Sequence, residues 1–190
     1  TFFKKKHAGT FGVCGAISFN GNKIITSGGG GAILTRSKKI YNLIKHLATV
    51  SKKEENNSAK YDEVGYNYRM PSLNAALGIS QIKKIRLIKK YKYYNYLQYK
   101  NLFLKNKDFY FLINKKNTES NHWLNCIIFK NQKILDKKFF DSFKKKKIEI
   151  RKIWSLNNKG NYYKKYPKMK LRVSNYLEKR IICLPSGVFK

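Results

Sequence analysis

The sequence predicts an α/β fold, and three observations carry that expectation. Short apolar or β-branched runs alternate with helix-length runs, most regularly between residues 122 and 185. Near the amino terminus, two strand-like runs are separated by a turn-rich connection that ends in four consecutive glycines, 28–31. Hydrophobic residues make up 42% of the 190 residues, enough for one or two small domains with a core.

The elements follow in order. "GAISFN" (15–20) and "GAILTR" (31–36) are strands. Ser37 is an N-cap for a helix through "KKIYNLIKHLATV" (38–50), which the polar run "SKKEENNSAK" (51–60) closes as a mobile loop. A compact loop reaches Met70, Pro71 suits a helix start, and a long helix follows. In it Leu73, Ala76, Ile79, Ile82, Ile85, Ile88, Tyr91, Tyr94 and Leu97 recur every third residue. That spacing lags the 3.6-residue turn, so the stripe should wind around the axis and face successive neighbours. Beyond it the order is strand ("HWLNCIIFK", 122–130), helix ("QKILDKKFFDSFKKK", 132–146), strand ("IEIRKIW", 148–154), helix ("LRVSNYLEKR", 171–180) and strand ("IICLP", 181–185), which suggests a mixed sheet.

The charge is extreme: 42 Lys and Arg against 10 Asp and Glu, a formal +32. A basic nucleic-acid-binding module is therefore one functional class to weigh. The lysines, however, occur in every segment alongside many Asn, Ile, Tyr and Phe, as a general drift of surface positions would leave them. Cys14, Cys126 and Cys183 have no zinc spacing and read as small core residues in a reducing compartment. No metal site is expected. His7, His46 and His122 are scattered, and the adjacent Asp62 and Glu63 suit loop anchoring better than acid–base work. No apolar run approaches membrane-spanning length, and the expected location is the cytoplasm. Thr1 resembles a cut edge.

Within "SFNGNKIITSGGGG" (18–31), Lys23 follows Asn22 and precedes Ile24, so the phosphate-loop pattern fails. The glycines precede a strand, so the dinucleotide fingerprint fails too. What remains is a lysine between a strand end and small residues. Such an amine can form a Schiff base with a carbonyl, pyridoxal phosphate being the usual case, while glycines let the backbone approach a flat cofactor. An exposed lysine in a hairpin is the competing explanation.

Four ordered blocks then become recognisable: "HAGTFG", "SFNGNKIITSGGGGAILT", "DEVGYNYRMPSLNAALGISQI" and "PKMKLRVSNYLEKRIICLPSG". Together they resemble the DegT/DnrJ/EryC1/StrS family of pyridoxal-phosphate-dependent nucleotide-sugar aminotransferases, over most of residues 7–187. The wording looks closest to members acting on UDP- or GDP-linked 4-keto-6-deoxy sugars, in routes to amino sugars such as legionaminic acid or bacillosamine. The resemblance implies the carboxy-terminal part of fold type I of the pyridoxal-phosphate-dependent transferases, which is aspartate aminotransferase-like. Residues 1–70 would end the large domain, 71–103 form a connecting helix, and 104–190 a small α/β domain.

By the same resemblance, Lys23 carries the cofactor and shuttles the substrate proton, and Ser18 hydrogen-bonds the cofactor phosphate. Asn67 reaches the phosphate in the neighbouring subunit's site, and Arg69 lies at that shared site; Asn20 and Arg151 contact substrate. Glutamate is the implied amino donor and a homodimer with shared active sites the implied assembly. Two departures stand out. The family aspartate that pairs with the pyridine nitrogen belongs before "KHAGTFG", so the chain is expected to be a piece that cannot transaminate alone and leaves apolar surface uncovered. Near Arg151 and Trp154, this sequence has Lys152 where the family often has Pro, and Asn157 and Asn158 where it has His. A non-catalytic relic is the remaining alternative.

Overall fold

The computed structural model describes residues 1–55, 58–131 and 135–188, and the chain divides into two compact units. The first comprises Thr1–Ile88 with Lys116–Ser120, the second Lys89–Lys115 with Asn121–Lys190.

In the first unit, β1 (Phe2–Phe3) pairs antiparallel with β2 (Lys6–His7) and with Thr118–Glu119, the eighth strand of the chain. These two-residue strands carry no pattern a sequence could show. His7 is structural here: its Nδ1 accepts from Gly9 N at 3.1 Å and caps the 3-10 turn Ala8–Thr10. β3 (Cys14–Ser18) and β4 (Gly31–Thr35) pair in register from Cys14↔Thr35 to Ser18↔Gly31, as the two apolar runs predict. Ser37 caps α1 (Lys38–Ala48), its Oγ accepting from Ile40 N at 3.3 Å. Lys45 and His46 in the last turn suit the negative end of the helix dipole.

The polar run after α1 is not a loop. β5 (Lys52–Glu55) and β6 (Ser58–Tyr61) form an antiparallel ribbon, with Asn56 and Asn57 outside the described residues. Both faces of the ribbon meet solvent, so it lacks the apolar alternation that marks a strand. Charge pairs run along it instead, such as Lys60 Nζ to Glu55 Oε2 at 3.1 Å and Lys53 Nζ to Asp62 Oδ2 at 2.5 Å.

The long helix is interrupted once. α2 (Ser72–Lys83), with Pro71 at its N-cap, and α3 (Ile85–Phe103) are separated by Lys84, whose N–H reaches back three residues to Gln81 O. The predicted three-residue stripe is exposed along α2, at Leu73, Ala76, Ile79 and Ile82, but half-buried at Ile85, Ile88, Tyr91 and Leu97 of α3, where Tyr94 is again exposed. From 74 to 100 the less exposed positions are 74, 75, 78, 81, 85, 88, 91, 92, 95, 96, 97, 99 and 100, mostly spaced by three and four with neighbours on either side in α3. A straight helix presents one face every 3.6 residues, and a stripe of period three leaves that face within two turns.

The second unit contains β7 (Phe109–Phe111), β9 (Asn125–Phe129), α4 (Lys137–Lys145), β10 (Arg151–Lys152), α5 (Arg172–Glu178) and β11 (Ile181–Leu184). Its sheet has the order β10-β11-β9-β7. Each pairing is antiparallel, correcting the expected mixed sheet; the strand alternation was right, but adjacency depends on which strand slots between which. The expected strand at 148–154 is short: β10 covers Arg151–Lys152, and Ile153 N–H adds a bond to Ile181 O at 3.2 Å. The expected helix at 132–146 is seen from Lys137, capped by Asp136 on Phe139 N, and its start at Gln132, Lys133 and Ile134 lies outside the described residues.

Among the described residues, the buried apolar side chains all lie in this unit: Tyr96, Phe111, Ile127, Phe129, Leu135 and Ile182 form its core, and Cys126 and Cys183 are also buried. Cys14 is exposed, against the expectation of a core residue, because it opens β3 at the end of a two-stranded ribbon. The first unit keeps Phe11, Val13, Ile33 and Leu73 exposed. Among the described residues, no helix is long and apolar enough to cross a membrane.

Candidate active site

The loop joining β3 to β4 is closed at its base by backbone bonds. Phe19 N–H donates to Gly30 O at 3.0 Å, and Phe19 O accepts from both Ser27 N and Thr26 Oγ1 at 3.0 Å. Residues 20–26 therefore project as a small excursion with Lys23 in it. A turn shapes the excursion: Lys23 N–H donates to Asn20 O at 3.0 Å, Asn20 Oδ1 accepts from Gly21 N at 2.9 Å, and Ser18 Oγ accepts from Asn20 N at 3.3 Å. Ser18, Asn20 and Lys23 are thus brought together by local geometry. Lys23 is half-buried, and Ser18 and Asn20 are exposed.

The glycine run has two different tasks. Gly28 and Gly30 have φ of +80°, a conformation that side-chain-bearing residues rarely adopt. A β-carbon on Gly31 would stand 2.4 Å from Ile17 O, so the strand approach itself requires glycine there. By contrast, a β-carbon on Gly21 or Gly29 would meet nothing within 4 Å, which leaves open space beside the loop.

Two residues that sequence reasoning missed hold this loop. Ser27 is 1% exposed, and its carbonyl accepts from Asn74 Nδ2 on α2 at 2.6 Å. Met70 approaches Gly30, since its Cε would lie 3.1 Å from a β-carbon built there. The only available signal was Asn74 one helical turn before Gly78, where α2 passes close to Ser27: a β-carbon built on Gly78 would lie 3.5 Å from Ser27 Cβ, an ordinary contact.

Met70 also ends the segment that carries Asn67 and Arg69. That segment is pinned to the end of α1: Tyr66 N–H donates to Leu47 O at 2.7 Å, Tyr68 N–H to Ala48 O at 3.0 Å, and Asn67 bridges Thr49. Tyr66 and Tyr68 stack with ring centroids 5.2 Å apart. Alternate residues of an extended segment share a face, so Asn67 and Arg69 lie on the side away from that stack. Both are exposed. The GYNYRM segment and the Lys23 loop therefore meet at Met70 and Gly30, which the sequence separation of forty residues conceals.

Arg151 belongs to the second unit, where its Nε donates to Glu149 Oε1 at 3.0 Å, and its Nη2 contacts the same oxygen. Trp154 stacks on Trp123, with centroids 5.7 Å apart. His46 Nε2 lies 2.6 Å from Asp62 Oδ1 and 3.6 Å from Glu63 Oε1. The Lys53 hydrogen bond, followed by that of His46, lowers the Asp62 carboxyl to about 2. This is an ion-paired anchor for the ribbon, as loop anchoring predicts.

The donor set and the space fit pyridoxal phosphate. A primary amine is held on a closed loop, a hydroxyl accepts one described bond and keeps its proton to donate, and the backbone beside them carries no side chain at Gly21 and Gly29. The match that decides the family covers nearly everything: residues 1–188 fit the model of the DegT/DnrJ/EryC1/StrS aminotransferase family. The chain belongs to that family.

Its relatives place it further. EpsN of Bacillus subtilis (strain 168), provisionally named a pyridoxal phosphate-dependent aminotransferase, is 30% identical over 193 residues, covering 98% of this chain and 49% of its own. GDP-perosamine synthase of Escherichia coli O157:H7 is 38% identical over 82 residues, 43% of this chain and 22% of that protein. Among solved structures, Helicobacter pylori PseC, an aminotransferase involved in the biosynthesis of pseudoaminic acid, superposes with a TM-score of 0.86 at 23% identity, over 96% of this chain and 50% of that one. TlmJ of Streptoalloteichus hindustanus gives 0.88 at 14%, over 97% and 49%. These two share the fold of this DegT-family chain. The chain spans about half the length of the relatives it matches along its whole extent.

Proposed function

We propose that this chain carries the lysine-bearing part of a pyridoxal-phosphate-dependent aminotransferase that transfers an amino group to a nucleotide-linked 4-keto-6-deoxy sugar. Family membership over residues 1–188 supports the reaction class, and relatives named for GDP- and UDP-sugar amination support the substrate class. The single observation that carries the reading at the level of residues is the closed excursion presenting Lys23 beside Ser18, tied to the Asn67 and Arg69 segment through Met70.

When bound, pyridoxal phosphate supplies an electron sink that stabilises negative charge on the substrate carbon. The chain's own groups do the rest. Lys23 Nζ would be the amine that holds the cofactor's carbonyl carbon, and as a free amine it would serve as general base and acid for the substrate proton. Ser18 Oγ–H and the Asn67 amide donate to phosphate oxygens, and the Arg69 guanidinium clamps phosphate or carboxylate through paired N–H bonds. Asn20 and Arg151 contact the sugar nucleotide. Glutamate is the proposed donor, a homodimer with shared sites the proposed assembly, and the cytoplasm the proposed location.

The test is an absorbance spectrum with pyridoxal phosphate followed by borohydride trapping. It is run on this chain alone and mixed with the remainder of a family protein, for wild type and Lys23→Ala. A reduced adduct mapped to Lys23 and lost in the variant is expected. Equal labelling of wild type and Lys23→Ala, both alone and in the mixture, would overturn the assignment.

A further inference from the structure

Two thiols face each other at the centre of the second unit's sheet. Cys126 on β9 and Cys183 on β11 are directly opposite in the antiparallel register, and their Sγ atoms are 3.7 Å apart. The ladder bond from Phe129 N–H to Arg180 O makes that position a hydrogen-bonded pair. Pair types alternate along an antiparallel ladder, so Cys126 and Cys183 form a non-hydrogen-bonded pair, in which the Cα atoms approach to about 4.5 Å. A disulfide accepts Cα separations from about 4.4 Å upward. Both residues are buried, and neither is linked.

The pair lies on the sheet face opposite Ile127 and Ile182, which belong to the core, because successive residues of a strand face opposite sides. On the edge strand, Arg151 is directly opposite Cys183. The hydrogen bond from Cys126, aided by the Arg151 guanidinium, pulls the Cys183 thiol down. The same bond and burial push Cys126 up. Glu149 also engages the Arg151 guanidinium. The two thiols thus have unequal surroundings: a guanidinium-bearing residue stands directly opposite Cys183 on the edge strand, whereas Cys126 lies on an inner strand.

We propose that Cys126 and Cys183 form a peroxide-oxidisable dithiol that closes to a disulfide across β9 and β11. The Cys183 thiolate attacks one oxygen of hydrogen peroxide; the O–O bond breaks, and the departing hydroxide takes a proton to leave as water. Cys183 becomes a sulfenic acid. Cys126 sulfur then bonds to Cys183 Sγ, its proton goes to the leaving hydroxyl, and a second water departs. Two thiols are oxidised by two electrons, and one peroxide is reduced to two waters. A neutral, water-sized oxidant suits a buried pair that bulkier disulfides cannot reach.

The experiment uses the full chain with Cys14→Ser, so that the pair supplies the remaining thiols. Folded protein is treated with hydrogen peroxide, quenched, denatured in a thiol-alkylating reagent and measured by thiol titration, intact mass and peptide mapping. The expected result is simultaneous loss of both thiols, a mass lower by two hydrogens, a peptide linking 126 to 183, and full reversal by dithiothreitol. A second variant, Cys126→Ser, should leave Cys183 carrying oxygen with no loss of hydrogens. Mass gained as oxygen with the pair intact would overturn the proposal. So would thiols that stay titratable at peroxide concentrations that consume free cysteine, or a link between chains in place of the internal one.

Discussion

Asn74 tests whether the Lys23 loop is held from α2. In Asn74→Ala the Nδ2 donor to Ser27 O is lost, and a carbonyl on a residue only 1% exposed is left without that partner. An unsatisfied buried group of this kind costs about 1–3 kcal/mol. The cost falls on the closed loop, because once the loop opens the carbonyl reaches water. Since 1.4 kcal/mol is a tenfold change in an equilibrium, the open population should rise about 5- to 150-fold. Amide hydrogen exchange reads this directly: the Ser27 and Phe19 amides, bonded to Phe19 O and Gly30 O, should exchange faster by that factor, while amides of β9 in the other unit stay unchanged. Ser27 and Phe19 rates within twofold of wild type would refute the argument. A uniform acceleration across both units would show global destabilisation and refute it equally. Borohydride trapping at Lys23 should weaken in parallel.

Ile182 is 1% exposed at the centre of the second unit's core, so Ile182→Ala should lower stability by about 2–5 kcal/mol. The urea midpoint should fall with the slope unchanged, whereas Met169→Ala, 86% exposed, should leave it in place. Gly65→Ala would put a β-carbon 2.3 Å from Ser51 N, against a turn in which Val50 and Ser51 already have φ of 58° and 52°. About 1–3 kcal/mol of destabilisation is expected, with the Thr49–Asn67 bridge disturbed and visible as changed Asn67 amide shifts. Asp62 has a folded pKa lowered to about 2 from 3.8, so its contribution is complete above the unfolded value and disappears as pH falls through the folded one. In Asp62→Asn, the decline of the urea midpoint between about pH 4 and pH 2 should shrink relative to wild type.

How much the sequence shows differs by element. The β3 and β4 runs and the Ser37 cap were legible, because alternation, the turn glycines and a capping hydroxyl are local signals. The β5–β6 ribbon was not, because charge pairs hold it rather than an apolar face. Period-three counting on α2 and α3 chose Leu73 and Ile79, yet Asn74, Lys92 and Tyr99 sit inward and donate to backbone carbonyls. Lys92, 7% exposed, donates Nζ to Trp123 O and Ser186 O, with its pKa lowered by burial; a buried lysine satisfied only by carbonyls has no sequence signature.

By itself, then, the sequence determined the kinds of groups available and the family to which their order belongs: Lys23 after a strand, Ser18 five residues before it, and Asn67 and Arg69 in one segment. Tertiary structure alone decided which of them share a neighbourhood. Met70 reaches Gly30, Asn74 reaches Ser27 across 47 residues of chain, and Cys126 meets Cys183 across 57. The reason is physical: caps, turns and strand alternation are set by neighbours a few residues apart, whereas register and packing contacts depend on distant segments whose pairing no local pattern encodes.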